Sequence, residues 1–85
     1  MVVHARSRPD DGPARCAVIA GRKVGPAVAR NRAKRRIRAG LQQSSLPHGM
    51  DLVVTARASA VTAPFTDLRA ELDRLILAAV GRCRR

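Results

Sequence analysis

The residues of this chain with the clearest chemistry are cations crowded into one stretch. Between Gly12 and Met50 the sequence has nine Lys and Arg residues and no Asp or Glu. A solvated helix face normally mixes charges, because like charges four residues apart, such as Lys34 and Arg38, repel. An anionic partner would relieve this repulsion, so the stretch predicts a surface that binds a polyanion. The nine cations are Arg15, Arg22, Lys23, Arg30, Arg32, Lys34, Arg35, Arg36 and Arg38.

Asn31 is an unusual residue within this cationic run, since Asn lowers helix stability relative to Ala by roughly half a kcal/mol. Its neighbours are Arg30 and Arg32, so we interpret its side chain as a hydrogen-bonding group for a phosphate, a sugar or a base edge. Simple exposure to solvent is the alternative.

The basic loop at residues 21–25, which contains Arg22 and Lys23, precedes a predicted helix N-terminus, where free N–H groups also attract anions. It lacks the phosphate-loop pattern, because Pro26 and Ala27 follow its second Gly.

Catalysis by the side chains of this chain finds no support in the sequence. It has no paired-carboxylate signal, no Ser/His/Asp pattern and no cluster of metal ligands, and His4 and His48 are isolated. Cys16 and Cys83 also lack ligand partners, so we expect two free thiols, with Cys16 a small buried residue in a strand. Phe65 is the only aromatic residue, which argues against an RNA-binding protein that stacks bases on its own rings.

Length and composition restrict the fold that positions these cations. The chain has 85 residues, a formal net charge of +11 and 46% hydrophobic residues. These values indicate a single folded domain, residues 1–85, rather than a disordered basic tail. The sequence contains no apolar run long enough to span a membrane and no secretion signal, so we expect a cytoplasmic protein with no membrane partner.

The hydrophobic pattern predicts an α/β fold in the order β-β-α-β-α. Residues 1–5 and 15–20 are short β-prone runs, and the Pro/Gly-rich loop between them suggests a hairpin. The second run is typical of a strand buried on both faces. Residues 51–57 form a third strand, which should be parallel to the second because a helical crossover joins the two.

Two amphipathic helices follow from the periodicity. The first covers residues 27–41, with Gly25 as its cap and Pro26 in the first helical position. The second is capped by Thr66 and stops at Gly81, and a basic tail follows it. The apolar stripes are Ala29, Ala33, Ile37 and Leu41 on the first helix, and Leu68, Leu72, Leu75, Ile76, Ala79 and Val80 on the second; the tail consists of Arg82, Arg84 and Arg85.

The stretch from Gly21 to Arg38 resembles the signature of the bacterial ribonuclease P protein subunit. It reads GRKVGPAVARNRAKRRIR, with a basic pair, Val-Gly, Ala-Val, Arg-Asn-Arg, Lys-Arg and a further Arg in the family's order and spacing. The strand at 51–57 and the helix at 68–75 are also similar to the family's following segments, so the resemblance covers the whole chain. A match of this length is far more specific than a short motif.

This resemblance implies a small α/β (α+β) sandwich with a βαβ crossover of left-handed sense, against the general right-handed rule. It implies a protein that binds the catalytic RNA of ribonuclease P and assists that enzyme in removing the 5′ leader from precursor tRNA. The two RNAs are the expected partners, and no obligate protein partner is evident. Mg²⁺ is expected for the holoenzyme, held mainly by the RNA, with none bound by the protein itself. The resemblance assigns RNA binding to Arg22, Lys23, Arg30, Asn31, Arg32, Lys34, Arg35 and Arg38, while Arg36 is assigned by its charge only.

Two other functions remain open for the same basic helix. One is a non-enzymatic RNA-binding protein, such as a ribosome-associated basic protein. The other, a helix-turn-helix DNA-binding protein, would need a second short helix packed beside the basic one, which the strand-helix-strand order does not predict.

The start of the chain differs from the family pattern. Family members usually carry a longer N-terminal segment with a first helix, and residues 1–4 resemble the middle or end of the family's first strand. We therefore expect a short form with reduced stability and leader recognition, in which the Arg-Asn-Arg helix still binds the catalytic RNA.

Overall fold

The computed structural model describes residues 1–83 and shows three strands and three helices in two layers. The strands form one sheet, and the two long helices pack side by side on one of its faces. The α/β prediction is confirmed, whereas the left-handed sense of the crossover stays a prediction. None of the helices within residues 1–83 has the length and hydrophobicity needed to cross a membrane. The elements are β1 (Val2–Ser7), β2 (Arg15–Ile19), α1 (Ala27–Gln43), β3 (Met50–Thr55), α2 (Ser59–Thr62) and α3 (Phe65–Cys83), with a 3-10 turn (Arg22–Val24) before α1.

The sheet has the order β1-β3-β2, so β3 is its central strand. β2 runs parallel to β3 and is joined to it through α1, which confirms the predicted βαβ unit. β1 pairs with β3 in the antiparallel direction. The predicted hairpin between β1 and β2 is therefore wrong.

The loop between β1 and β2 wraps around the start of β3, which explains why no hairpin forms. The Arg8 N–H donates to the Gly49 carbonyl at 2.7 Å, and the Gly49 N–H donates to the Gly12 carbonyl at 2.7 Å. The Arg8 guanidinium adds hydrogen bonds to Asp51 Oδ1 and to the Pro13 carbonyl, both at 2.8 Å. Residues 8–14 are long enough to cross two strand spacings of about 4.8 Å each, which lets β3 lie between the other two strands.

The core lies between the sheet and the two long helices, and β3 contributes to it in strict alternation. Met50, Leu52 and Val54 are buried, while the residues between them are half-buried. The predicted apolar stripes of both helices face this row, which confirms their orientation, although Ala29 and Leu75 are only half-buried. The buried residues are Ala33, Ile37, Gly40 and Leu41 on α1, and Leu68, Leu72, Ile76, Ala79 and Val80 on α3.

β2 is an edge strand, and its burial differs from the prediction. Within β2 only Val18 is buried; Cys16 is exposed, and Ile19 is 51% exposed. The predictions of a strand buried on both faces and of a buried Cys16 are therefore wrong, because both long helices lie on one side of the sheet. Cys16 and Cys83 are both free thiols, as expected.

α1 begins at Ala27, as predicted, but its capping residue differs from the prediction. Pro26 is the N-cap, so Ala27 is the first helical residue. Gly25 has a φ of 139° and ends the preceding 3-10 turn instead of capping α1. A residue with a side chain would be strained in that conformation. Gly25 therefore allows the chain to turn sharply into α1.

The bounds of α3 also differ from the prediction. The helix begins at Phe65, which puts Thr66 inside the first turn, and it continues through Gly81 to Cys83. Packing outweighs the low helix propensity of Gly here, because Val80 is buried and the Cys83 thiol donates to the Ala5 carbonyl. Of the predicted basic tail, Arg84 and Arg85 lie outside the described residues.

Candidate nucleic-acid interface

The outward side of α1 carries most of the predicted site residues. Ile37 is fully buried, and Arg35, which lies about 200° around the helix from it, is exposed. Seven of the nine predicted residues are on α1, and four of them lie on this outward side and are exposed: Asn31, Arg32, Arg35 and Arg38. Arg30 and Lys34 lie nearer the core side of the helix and are half-buried. We call these six residues, without Arg36, the α1 cationic face.

The α1 cationic face has no acidic counterpart among the residues that the structure describes. Every ion pair within residues 1–83 lies elsewhere, at the start of β3, on α3 or at the N-terminal amine. The repulsion between Lys34 and Arg38, one helical turn apart, is therefore not balanced by a carboxylate in this part of the chain. Uncompensated charge on one face of a helix attracts a polyanion.

Arg36 and Arg32 are tied to the carboxyl end of α2. Arg36 Nη1 donates to the Ala60 carbonyl at 2.7 Å, and Nη2 donates to the Ala63 carbonyl. Arg32 Nε donates to the Val61 carbonyl at 3.0 Å. Backbone carbonyls thus partly offset the repulsion between these two cations, and the half-buried Arg36 is bound within the fold. A direct contact of Arg36 with RNA stays a prediction.

Residues of α3 hold the carboxyl end of α1. Arg69 Nη2 donates to the Gln43 carbonyl at 2.9 Å, and its Nη1 donates to Gln43 Oε1 at 2.8 Å. Ser44, the C-cap residue, donates through Oγ to Asp73 Oδ1 at 2.6 Å. A cation beside the last carbonyls also interacts favourably with the helix dipole. The middle of α1 is therefore held by contacts with α2, and its carboxyl end by contacts with α3. Together these contacts fix the direction of α1.

A second basic feature lies at the carboxyl ends of β2 and β3. Arg22 and Lys23 are exposed in the 3-10 turn that follows β2. Together with Arg57, the second residue after β3, they line a cavity of about 490 Å³. Arg57 is absent from the predicted set, although parallel strands end at the same edge of a sheet and the residues that follow them meet there. Three cations around one cavity make it complementary to an anionic group.

The carboxylates with shifted pKa values lie at the opposite end of the sheet. Arg8, whose side chain is 7% exposed, donates to Asp51 Oδ1 at 2.8 Å and to Asp10 Oδ1 at 3.0 Å. These hydrogen bonds lower the pKa of Asp51 and the pKa of Asp10 below the ordinary carboxyl value. Within residues 1–83 no three His, Cys, Asp or Glu side chains come together as potential metal ligands. The α1 cationic face therefore offers charge and hydrogen-bond donors rather than an acid–base pair.

Comparison with known proteins points to one family. A family model described as Ribonuclease P matches residues 1–80. The chain is similar to the ribonuclease P protein component of Symbiobacterium thermophilum, with 41% identity over 76 residues, which cover 87% of this chain and 66% of the relative. The component from Kocuria rhizophila is 40% identical over 73 residues, which cover 84% and 65% of the two chains. The chain thus spans slightly less than two thirds of the length of these relatives.

Two solved structures share the fold. The RNase P protein from Thermotoga maritima matches with a TM-score of 0.76 and 29% identity, covering 87% of this chain and 72% of that one. The Staphylococcus aureus RNase P protein matches with a TM-score of 0.73 and 25% identity, covering 91% and 72%. Both similarities cover most of this chain.

Proposed function

Because this chain belongs to the ribonuclease P protein family, we propose that it serves as the protein subunit of ribonuclease P and binds the catalytic RNA through the α1 cationic face. The observation that carries the proposal is a set of exposed cations on one side of a firmly held helix, without an acidic neighbour in residues 1–83. Phosphates of an RNA would supply the missing counter-charges.

The side chains of this face suit different parts of an RNA strand. Arg32, Arg35 and Arg38 have planar guanidinium groups that bind phosphates in a bidentate manner. Asn31 both donates and accepts hydrogen bonds, so it suits a sugar hydroxyl or a base edge. Arg22 and Lys23 extend the surface beyond the start of α1. Most of the affinity would come from phosphate neutralisation and the release of counterions.

In the proposed reaction, ribonuclease P hydrolyses the phosphodiester bond that joins the 5′ leader to precursor tRNA, which is the second RNA partner. The catalytic groups belong to the RNA, and the protein reduces the repulsion between two polyanions. Mg²⁺ is assigned mainly to the RNA as well; of the acidic side chains, Asp10 and Asp51 are both bound by Arg8. A cytoplasmic location remains the prediction made from the sequence.

The main alternative, a general or ribosome-associated RNA-binding protein, would use the same face without preference for this RNA. A competition binding experiment separates the two. Labelled catalytic RNA from the same organism is displaced from the protein by itself or by an unrelated structured RNA of equal length, at one salt concentration. Our proposal predicts a preference of at least about tenfold, equivalent to 1.4 kcal/mol. Equal displacement by both RNAs would support the alternative.

A further inference from the structure

The Arg32 guanidinium is held by the protein along one edge only. Its Nε–H donates to the Val61 carbonyl at 3.0 Å, while the residue as a whole is exposed. A guanidinium carries five N–H donors in one plane, so a bond at Nε also sets the direction of the N–H groups on both Nη atoms. Those groups are the ones that bind a phosphate in a bidentate arrangement.

Arg36 holds the segment that provides this carbonyl. Val61 belongs to α2, a helix of four residues, and the last carbonyls of a helix have no partner within it. Arg36 donates to the carbonyls of Ala60, one residue before Val61, and Ala63, two residues after it. One guanidinium therefore fixes both flanks of the carbonyl that orients Arg32.

We propose that Arg36 is a positioning residue for Arg32. It holds α2 in place, and the Val61 carbonyl then aims the Nη groups of Arg32 at a phosphate of the RNA. This inference rests on the proposed function, because it requires that the α1 cationic face meets RNA. The cations of α1 then have two roles: Arg35 and Arg38 contact RNA without a protein partner in residues 1–83, whereas Arg36 acts through Arg32.

The first part of the test uses the free protein. NMR measures how fast the Nε proton of each Arg side chain exchanges with water, and a hydrogen-bonded proton exchanges more slowly. We expect slower exchange at Arg32 than at the exposed Arg35. Arg36→Met, which removes all the donors, should speed exchange at Arg32 about threefold or more, since freeing α2 opens the bond to Val61. Arg38→Met is the matched control and should leave Arg32 unchanged. Equal exchange at Arg32 and Arg35, or no response to Arg36→Met, would overturn the proposal.

The second part measures affinity for the catalytic RNA in a double-mutant cycle of Arg32→Gln and Arg36→Met. Alone, Arg36→Met should weaken binding about threefold or more, and in the Arg32→Gln background it should have almost no further effect. Arg38→Met should reduce affinity by the same factor in both backgrounds. Additive effects of Arg32→Gln and Arg36→Met would mean that Arg36 acts independently, which contradicts a positioning role. Unchanged affinity in every variant, Arg38→Met included, would instead overturn the proposed function, even if the exchange result holds.

Stability is controlled separately, because Arg36→Met leaves the Ala60 and Ala63 carbonyls without their donor. Circular dichroism first establishes a temperature at which every variant is folded, and all affinities are measured there. If Arg36→Met does not fold, Arg36→Lys, which loses the planar fork but keeps the charge and a donor, replaces it in the same cycle. The expected and contradicting outcomes stay the same.

Discussion

Gly40 of α1 lies directly against Leu72 of α3: a Cβ atom at Gly40 would stand only 3.1 Å from Leu72 Cδ2. Both residues are buried, and Leu72 is fully enclosed. The absence of a side chain at Gly40 therefore lets the two long helices approach closely on the far side of α1 from the cationic face. This contact helps to set the depth at which α1 rests on the core.

We predict that Gly40→Val destabilises the fold by about 1–3 kcal/mol, because a larger side chain in a filled core forces its neighbours apart. Urea unfolding measures the change in the free energy of unfolding. Gly81→Ala is the control, since Gly81 lies inside α3 with open space around its Cα, and the better helix propensity of Ala should stabilise the protein by about 0.5–1 kcal/mol. An unchanged stability in Gly40→Val would contradict the close packing of α1 and α3.

The buried and exposed sides of α1 should respond to substitution in opposite ways. Ile37→Asp puts a charge at a fully buried position and should cost several kcal/mol of stability, about 3 or more. Asn31→Ala, Arg32→Ala and Arg35→Ala alter exposed residues and should weaken RNA binding while the protein stays folded. Melting temperature and RNA affinity of each variant separate the two effects. If Arg35→Ala unfolds the protein and Ile37→Asp does not, the orientation of α1 is wrong.

The fold should lose stability in acid through the carboxylates that Arg8 binds. The folded-state pKa of Asp51 lies below the ordinary value of 3.8 because Arg8 donates to it. The stabilisation is therefore fully present above that value and is lost as the pH falls through the folded-state pKa. Denaturant unfolding between about pH 6 and pH 2 should show this decline, and Asp51→Asn should have a shallower one. The same slope in both proteins would show that the ion pair with Arg8 contributes nothing.

RNA affinity should fall steeply with salt concentration. If the five cations of the α1 cationic face each neutralise one phosphate, log K against log salt should have a slope of about −3.5 to −4.5, at roughly −0.7 to −0.9 per contact. Titrations between about 0.05 and 0.2 M salt measure the slope. Arg35→Gln should make it less negative by roughly 0.7 to 0.9, the contribution of one phosphate contact. A wild-type slope shallower than about −2 would contradict this face as the main contact.

Local patterns in the sequence were sufficient to predict the elements that carry the site. The apolar spacing placed Ile37 in the core and Arg35 on the surface, and the strand-helix-strand order gave the parallel pairing of β2 with β3. These features depend on residues within a few turns of one another, where helix and strand periods are directly readable.

The rest depends on contacts between distant parts of the chain. The central position of β3 comes from its pairing with both other strands, and Arg8 reaches Asp51 at its start from 43 residues away; no local pattern indicates such contacts. The role of Arg36 relies on carbonyls 24 and 27 residues away, so from sequence it was indistinguishable from the other cations. Gly81 resembled a helix stop because local propensity disfavours it, but the packing of α3 against β1 outweighs that preference.

The central claim is that this protein assists ribonuclease P through the α1 cationic face. Cleavage of precursor tRNA by the cognate catalytic RNA at low Mg²⁺ concentration tests it most directly, measured without protein, with the wild type and with the triple variant Lys34→Gln/Arg35→Gln/Arg38→Gln. We predict that the wild type stimulates cleavage strongly and that the folded triple variant loses most of this effect, which a higher Mg²⁺ concentration partly restores by screening the same phosphates. No stimulation by the wild type, or equal stimulation by the triple variant, would contradict the account.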